Sequence, residues 1–286
     1  MQIGFISQIH VKENLDRFRI AAKKMGIGLT VLHPAPLTLH IKGDKLILLD
    51  SDLKRIKVDG VINWDPYPAF RALEQACHYL GIPFKSSTDA VRTARNKTLT
   101  SLALLAQGLP QPETLYLNKY AKQLPTTVPL PLIYKPTTGT QGRGIRKFVC
   151  RESLQSFISS DTSKNDIYLQ KFIPNERWDL RVVVIDNNVL GATKRMASGD
   201  EWRTSAAFGG QMQPFRLNKP LKVLALRTAS ALKLDFAGID IMQDNKDGSY
   251  MILEVNAIPR LKTFEDTTGI SIATAVLELM VKAAKH

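Results

Sequence analysis

The sequence predicts an α/β fold in which a small amino-terminal parallel sheet is followed by lobes of α+β character. Three patterns carry that prediction. Strands and amphipathic helices alternate through the amino-terminal third, a glycine-rich hairpin interrupts the middle, and two apolar strands, each with an acid in its interior, lie near the end.

The amino-terminal alternation begins with "IGFIS", a short apolar strand, followed by the amphipathic "NLDRFRIAAKKMG". "LTVLHP" then leads into a short polar hairpin, and "DGVINW" is followed by the helix "PAFRALEQACHYLG" and the strand "IPF". Helices between successive strands imply parallel pairing. Serine and threonine caps in "SSTDAVRTARNKTLTSLALLAQGLPQPET" start two helical stretches, and "GLPQP" stops the second. A boundary between Asp89 and Asn96 follows, with expected units 1–95, 96–186 and 187–286. The middle unit holds the helix "RESLQSFI" and the strands "IYLQKFI" and "LRVVVID". The last unit holds "NVLGATKRM", a helix over 219–234, the two acid-bearing strands, and the closing helix "SIATAVLELMVKAAK".

The central stretch "KPTTGTQGRG" invites a phosphate reading, yet it fits neither common phosphate loop. A P-loop needs lysine after its last glycine, and here Gly144 precedes Ile145. Gly139, Gly142 and Gly144 are also spaced G-x-x-G-x-G rather than G-x-G-x-x-G. What is left is a strand, a flexible loop and a second strand, "IRKFVC". On these ten residues alone an exposed hairpin turn is the simpler reading.

The strongest chemistry lies in "FAGIDIMQDNKDGSYMILEVN". Folding this hairpin about Asp247 sets Asp240 opposite Glu254, and period two puts Glu254 and Asn256 on one face. Two like charges across a sheet are unfavourable unless a cation lies between them. Three oxygen donors suit magnesium carried by a nucleotide, with manganese as an alternate ion, better than zinc.

Composition sets bounds on the function. At 286 residues and 44% hydrophobic, the chain can bury a sizeable core, which excludes a disordered protein. No apolar run is long enough to span a membrane, and "MQIGFISQIH" lacks a signal-peptide pattern, so a cytoplasmic protein is expected. Cys77 and Cys150 have no C-x-x-C spacing, and both are expected as small core residues. The 39 basic against 26 acidic residues give +13, which favours anionic ligands. The basic residues are dispersed and not interleaved with aromatics, which argues against nucleic acid as the partner.

Taken in order, "RNKTLTSLALLAQGLPQPETL", "LIYKPTTGTQGRGI", "IYLQKFI", "WDLRVVVI" and "GIDIM...YMILEVNAIP" resemble the ATP-grasp ligases. "LEVNAIP" with "TTGISIA" brings the likeness closest to their RimK-type glutamate-ligase branch. The resemblance implies a three-lobed fold: an amino-terminal parallel-sheet domain, a central lid lobe and a carboxy-terminal lobe, with ATP gripped between the last two. The glycine stretch then becomes a mobile lid over the phosphates, with Gly139, Thr140, Gln141 and Gly142 at its tip. Lys97 and Lys135 match the two phosphate-contacting lysines. Gln170, Lys171, Phe172 and Ile173 match the hinge that reads adenine through its backbone, and Asp179 matches the ribose ligand. Arg181, Arg195 and Arg203 match arginines facing phosphate, acyl phosphate or substrate. Lys135, Arg195 and Arg203 are the expected catalytic group, and Asp240, Glu254 and Asn256 the metal ligands.

Three positions depart from the family pattern. Lys171 stands where glutamate is usual, Ser205 where relatives often have asparagine, and Arg260 where glycine commonly follows the proline. The implied reaction is ATP-dependent ligation through an acyl phosphate, adding glutamate or a similar amino acid to a carboxylate acceptor. That acceptor is expected to be a peptide or protein terminus or a small cofactor. A homo-oligomer, dimer or tetramer, is compatible with the resemblance. The cations Lys194, Arg195, Arg203, Arg260 and Lys262 are expected at one mouth of the site, facing an acidic ligand. Two rival readings are a non-catalytic nucleotide sensor and a basic nucleic-acid-binding protein.

Overall fold

The computed structural model describes residues 1–7, 12–33, 37–65, 70–121, 123–139, 143–160, 166–174, 176–199, 201, 203–204 and 209–285. Thr140, Gln141, Gly142 and Ser205 lie outside the described residues.

The amino-terminal lobe comprises β1 (Gln2–Ile6), α1 (Lys12–Lys24), β2 (Gly28–Leu32), β3 (Thr38–Lys42), β4 (Lys45–Leu49), β5 (Gly60–Asn63), α2 (Arg71–Tyr79) and β6 (Phe84–Lys85). Its sheet runs β2-β1-β5-β6, all parallel, as the strand-helix alternation requires. β3 and β4 form the separate polar hairpin. One face of the sheet packs on α2 through Phe70, Leu73 and Cys77.

Two helices lead onward, α3 (Thr88–Arg95) and α4 (Lys97–Ala106). Ser87 and Asn96 cap them, accepting from Ala90 N and Leu99 N respectively. The central lobe follows with β7 (Thr114–Leu117), β8 (Leu132–Pro136), β9 (Arg146–Phe148), α5 (Arg151–Ser160) and β10 (Ile167–Lys171). These strands form an antiparallel sheet ordered β7-β10-β8-β9, so the expected glycine hairpin is β8 and β9, with Tyr134 opposite Arg146. Gly144 sits at φ +74, where an L side chain would be strained.

The carboxy-terminal lobe contains β11 (Trp178–Ile185), β12 (Asn188–Met196), β13 (Gln211–Pro214), α6 (Lys219–Ala231), β14 (Phe236–Gln243), β15 (Tyr250–Asn256), α7 (Leu261–Thr268) and α8 (Ile272–Ala283). Its antiparallel sheet runs β13-β12-β11-β14-β15. β11, which a division at residue 186 would assign to the central lobe, is thus hydrogen-bonded between β12 and β14. The turn at Asp186 and Asn187, both at positive φ, joins a hairpin and does not separate lobes.

The buried face of this sheet (Leu180, Val182, Val184, Ile239, Ile241) packs on α6, α3 and α4. The amino-terminal sheet docks through α8 and an aromatic cluster in which Trp64 stacks on Phe236 at 4.9 Å. Each such ring contributes on the order of 2–3 kcal/mol by burial, so the two sheets share one core. Cys77 is buried as expected, but Cys150 is exposed: it follows β9, the edge strand of its sheet.

Candidate active site

A cleft of about 280 Å³ opens between the central sheet and the polar face of the five-stranded sheet. Strand period brings its charged residues together. Asp179 and Arg181 are two apart on β11, so both point to the same face, away from the core that Leu180 and Val182 enter. Register then sets Asp179 opposite Arg195, Arg181 opposite Asp240, and Asp240 opposite Glu254. The expected pair Asp240 and Glu254 does face across the hairpin, but through a bulge between Asp240 and Ile241, because the pairs nearer the turn (Ile241 with Ile252, Gln243 with Tyr250) are offset by one residue from a fold about Asp247.

These residues form one ion network. Arg195 donates to both oxygens of Asp179, at 2.6 and 2.7 Å, and its Nη2 also reaches Asp240 at 3.0 Å. Arg181 grips Asp240 through Nε and Nη2. Burial disfavours charge on Arg195 and Asp240 alike, but the opposing charges outweigh it. Arg195 is therefore held above its ordinary pKa, and Asp240 below the usual carboxylate range by Arg181 and Arg195. Thr204, which the sequence reading did not single out, donates to Asp179 at 2.5 Å. It adjoins Arg203, and that adjacency was its only sequence signal.

Lys97 and Lys135 approach from the other side. The Lys97 ammonium lies 3.4 Å from Glu254, and its backbone N–H donates to Thr137 O, tying α4 to the root of the glycine loop. Lys135 leaves β8 and donates to Gln170 Oε1 at 2.5 Å. Burial pushes its pKa down to about 8; Glu254 resists this and Lys97 adds to it. Gly139 also lines the cleft.

In the hinge, Gln170 and Ile173 are buried and Lys171 is exposed. The amides of Lys171 and Phe172 donate to Glu113 O and Pro131 O, and Lys147 Nζ lies 3.6 Å from the Phe172 ring centroid. Of the mouth cations, Arg203 pairs with Glu201 at 2.7 Å and Arg260 lines the cleft. Lys194 instead lies over Trp178, and Lys262 is exposed on Asp266, so neither belongs to the cleft lining. Strand and helix period turn both outward.

The facing oxygens can hold a hard cation. A carboxylate offers about four lone-pair sites. Asp240 spends one site of Oδ1 and both of Oδ2 on arginine N–H groups, leaving Oδ1 one free site. Glu254 is partly exposed beside it, and Asn256 contributes an amide at the same strand end, donating to Gly238 O at 3.5 Å. Among the described residues no group of three or more His, Cys, Asp or Glu is placed to hold a metal, so any ion here depends on Asn256 and on ligand oxygens.

The sequence profile of the RimK-like ATP-grasp domain matches residues 94–280, most of the chain. The chain belongs to the RimK-like ATP-grasp family. It is therefore an ADP-forming carbon–nitrogen ligase. The ribosomal protein bS6–L-glutamate ligase of Escherichia coli is 29% identical over 99% of this chain and 97% of its own. The tetrahydromethanopterin:α-L-glutamate ligase of Methanocaldococcus jannaschii is 29% identical over 78% of each chain. Among solved structures, an ATP-grasp ligase of Chryseobacterium gregarium, at 15% identity, superposes with a TM-score of 0.74 over 98% of this chain and 96% of that one. That likeness carries the three-lobed ATP-grasp fold. Among the described residues no helix is long and apolar enough to cross a membrane.

Proposed function

We propose that this ATP-grasp ligase uses Mg-ATP to join glutamate to a carboxylate acceptor through an acyl phosphate. The observation that carries the reading is the facing pair Asp240 and Glu254, with Lys97 against Glu254 and Lys135 in the same cleft. That combination suits a polyphosphate and its cation, and little else. Curated relatives named as L-glutamate ligases support glutamate as the added amino acid.

A carboxylate cannot expel oxide when an amine attacks it, so it must first be activated. We assign Lys97, Lys135 and the Gly139 loop to the phosphates, where fixed positive charge favours in-line transfer of the γ-phosphoryl group. Asp240, Glu254 and Asn256 would hold magnesium, which offsets negative charge on the phosphates when bound. Because the Lys171 and Phe172 amides are already engaged, the Ile173 amide is the donor we assign to adenine. Asp179 takes the ribose in this reading, its carboxylate fixed by Arg195 and Thr204. Arg195 and Arg203 hold the transferred group. The amine then attacks the acyl phosphate, phosphate leaves, and an amide bond remains, with no nucleophilic side chain required.

The test is a screen of carboxylate and amino-acid pairs for ADP release, with mass spectrometry of the product. Glutamate with a peptide, a protein terminus or a small-cofactor carboxylate should give stoichiometric ADP and a product one glutamyl residue heavier. ADP release that needs no amine, or a product carrying a different amino acid, would overturn the glutamate assignment.

A further inference from the structure

The wall of the cleft built by β13, the β15–α7 connection and α7 differs from the phosphate side. Met212, Ile258, Pro259 and Phe264 make it apolar, and Arg260 supplies its charge. The carboxy-terminal lobe presents Arg181, Arg195, Arg203 and Arg260 to the cleft. The first three are committed: Arg181 to Asp240, Arg195 to Asp179 and Asp240, and Arg203 to Glu201. Arg260 is exposed at the N-cap of α7, its side chain makes no capping bond, and among the described residues it has no carboxylate partner.

Its surroundings sharpen the point. Arg181 and Pro259 both close over Gly238, where a Cβ would lie 3.2 Å from Arg181 Cδ and Pro259 Cβ and 3.3 Å from Arg181 Nη1. Glycine at 238 thus lets the Arg181 guanidinium lie beside the segment that carries Arg260. With Arg181 already paired to Asp240, Arg260 is the cleft-lining arginine of this lobe that has, among the described residues, no carboxylate partner. An anion with a short methylene stem suits both features, the stem on the apolar wall and the charge at Arg260.

We propose that Arg260 is the specificity-determining residue for the incoming amino acid, its guanidinium pairing with the side-chain carboxylate while the methylenes lie over Ile258 and Phe264. This rests on the glutamate-ligase reading above. It adds the residue that distinguishes glutamate from glutamine. A site that pairs a substrate charge rejects the neutral isostere because the guanidinium is then left without its partner.

The test compares wild type, Arg260→Gln and Arg260→Lys in full-length protein, with ATP and the acceptor found in the screen, measuring ADP release with glutamate and with glutamine. Arg260→Gln should raise the KM for glutamate roughly ten- to a hundredfold and erase the preference over glutamine, with the KM for ATP unchanged. Arg260→Lys should retain part of the preference, because a point charge replaces the fork. Because Arg260 is exposed and, among the described residues, makes no side-chain bond, the variants should fold, which circular dichroism and the thermal midpoint would verify. If wild type prefers glutamate and Arg260→Gln keeps that preference, the arginine is a solvated surface charge and this inference fails while the glutamate reading stands. Equal weakening for glutamate and glutamine would assign Arg260 to the α-carboxylate and also overturn it. A wild type that uses glutamine as well as glutamate would overturn the glutamate reading itself.

Discussion

Arg195 and Asp240 are ion-paired at 3.0 Å although their strands, β12 and β14, are not neighbours. β11 lies between them, and its Asp179 and Arg181 complete a row of alternating charge across three strands. Asp179, Arg195 and Asp240 are buried and Arg181 is half-buried, so the members of the row depend on one another more than surface pairs do.

Asp240 and Glu254 should therefore respond differently to truncation. Asp240→Ala leaves the buried Arg195 and the half-buried Arg181 without a shared partner and should cost about 3–5 kcal/mol of stability as well as activity. Glu254→Ala removes a partly exposed carboxylate 3.4 Å from Lys97 and should abolish turnover with the fold retained. Thermal denaturation alongside ADP release at limiting magnesium separates the two. Normal ligation by Glu254→Ala would remove Glu254 from the metal site.

Lys135 should titrate in the working pH range. Its folded pKa of about 8 lies below the ordinary 10.5, so between those values the unfolded chain binds the extra proton. Stability contributed at this site accordingly rises with pH from about 8 to 10.5, and the cost of burying the charge is present in full below 8. Competitive amine acylation followed by peptide mapping should give Lys135 a midpoint near 8, with ATP shielding it. A midpoint near that of the exposed lysines would contradict the burial argument.

ATP should protect the glycine loop. Arg143 and Arg146 are exposed next to Gly144, making the segment accessible to trypsin. A saturating non-hydrolysable ATP analogue with magnesium should slow cleavage at both arginines severalfold, because a loop closed over phosphates cannot enter the protease. Unchanged cutting would count against a lid.

The two cysteines should differ sharply toward a thiol reagent. Burial, with Glu74 nearby, pushes the Cys77 thiol up to about 12, whereas Cys150 is exposed. Native protein should titrate one thiol quickly and the second only on unfolding. Two fast thiols would mean that the α2 packing is looser than described.

What the sequence determined by itself was the local geometry. Alternation of strands with helices implied the parallel sheet, and the acid-bearing hairpin was legible in the sequence, although Asp240 faces Glu254 only through a bulge between Asp240 and Ile241, since the pairs nearest the turn are offset by one residue. The family resemblance supplied roles for Lys97, Lys135 and Asp179, and the cleft does bring these residues together. Only the tertiary structure decided the partnerships between distant segments: Lys97 with Glu254, Lys135 with Gln170, and Arg195 with Asp240. These depend on which strands become neighbours and on how two sheets face each other, and neither follows from spacing along the chain. The same cause joined β11 to the last sheet and left Cys150 exposed, whereas the outward turn of Lys194 and Lys262 follows from strand and helix period alone. A side chain's environment is set by the surface packed against it, which for Cys77 is the α2 core and for Cys150, just past an edge strand, is largely solvent.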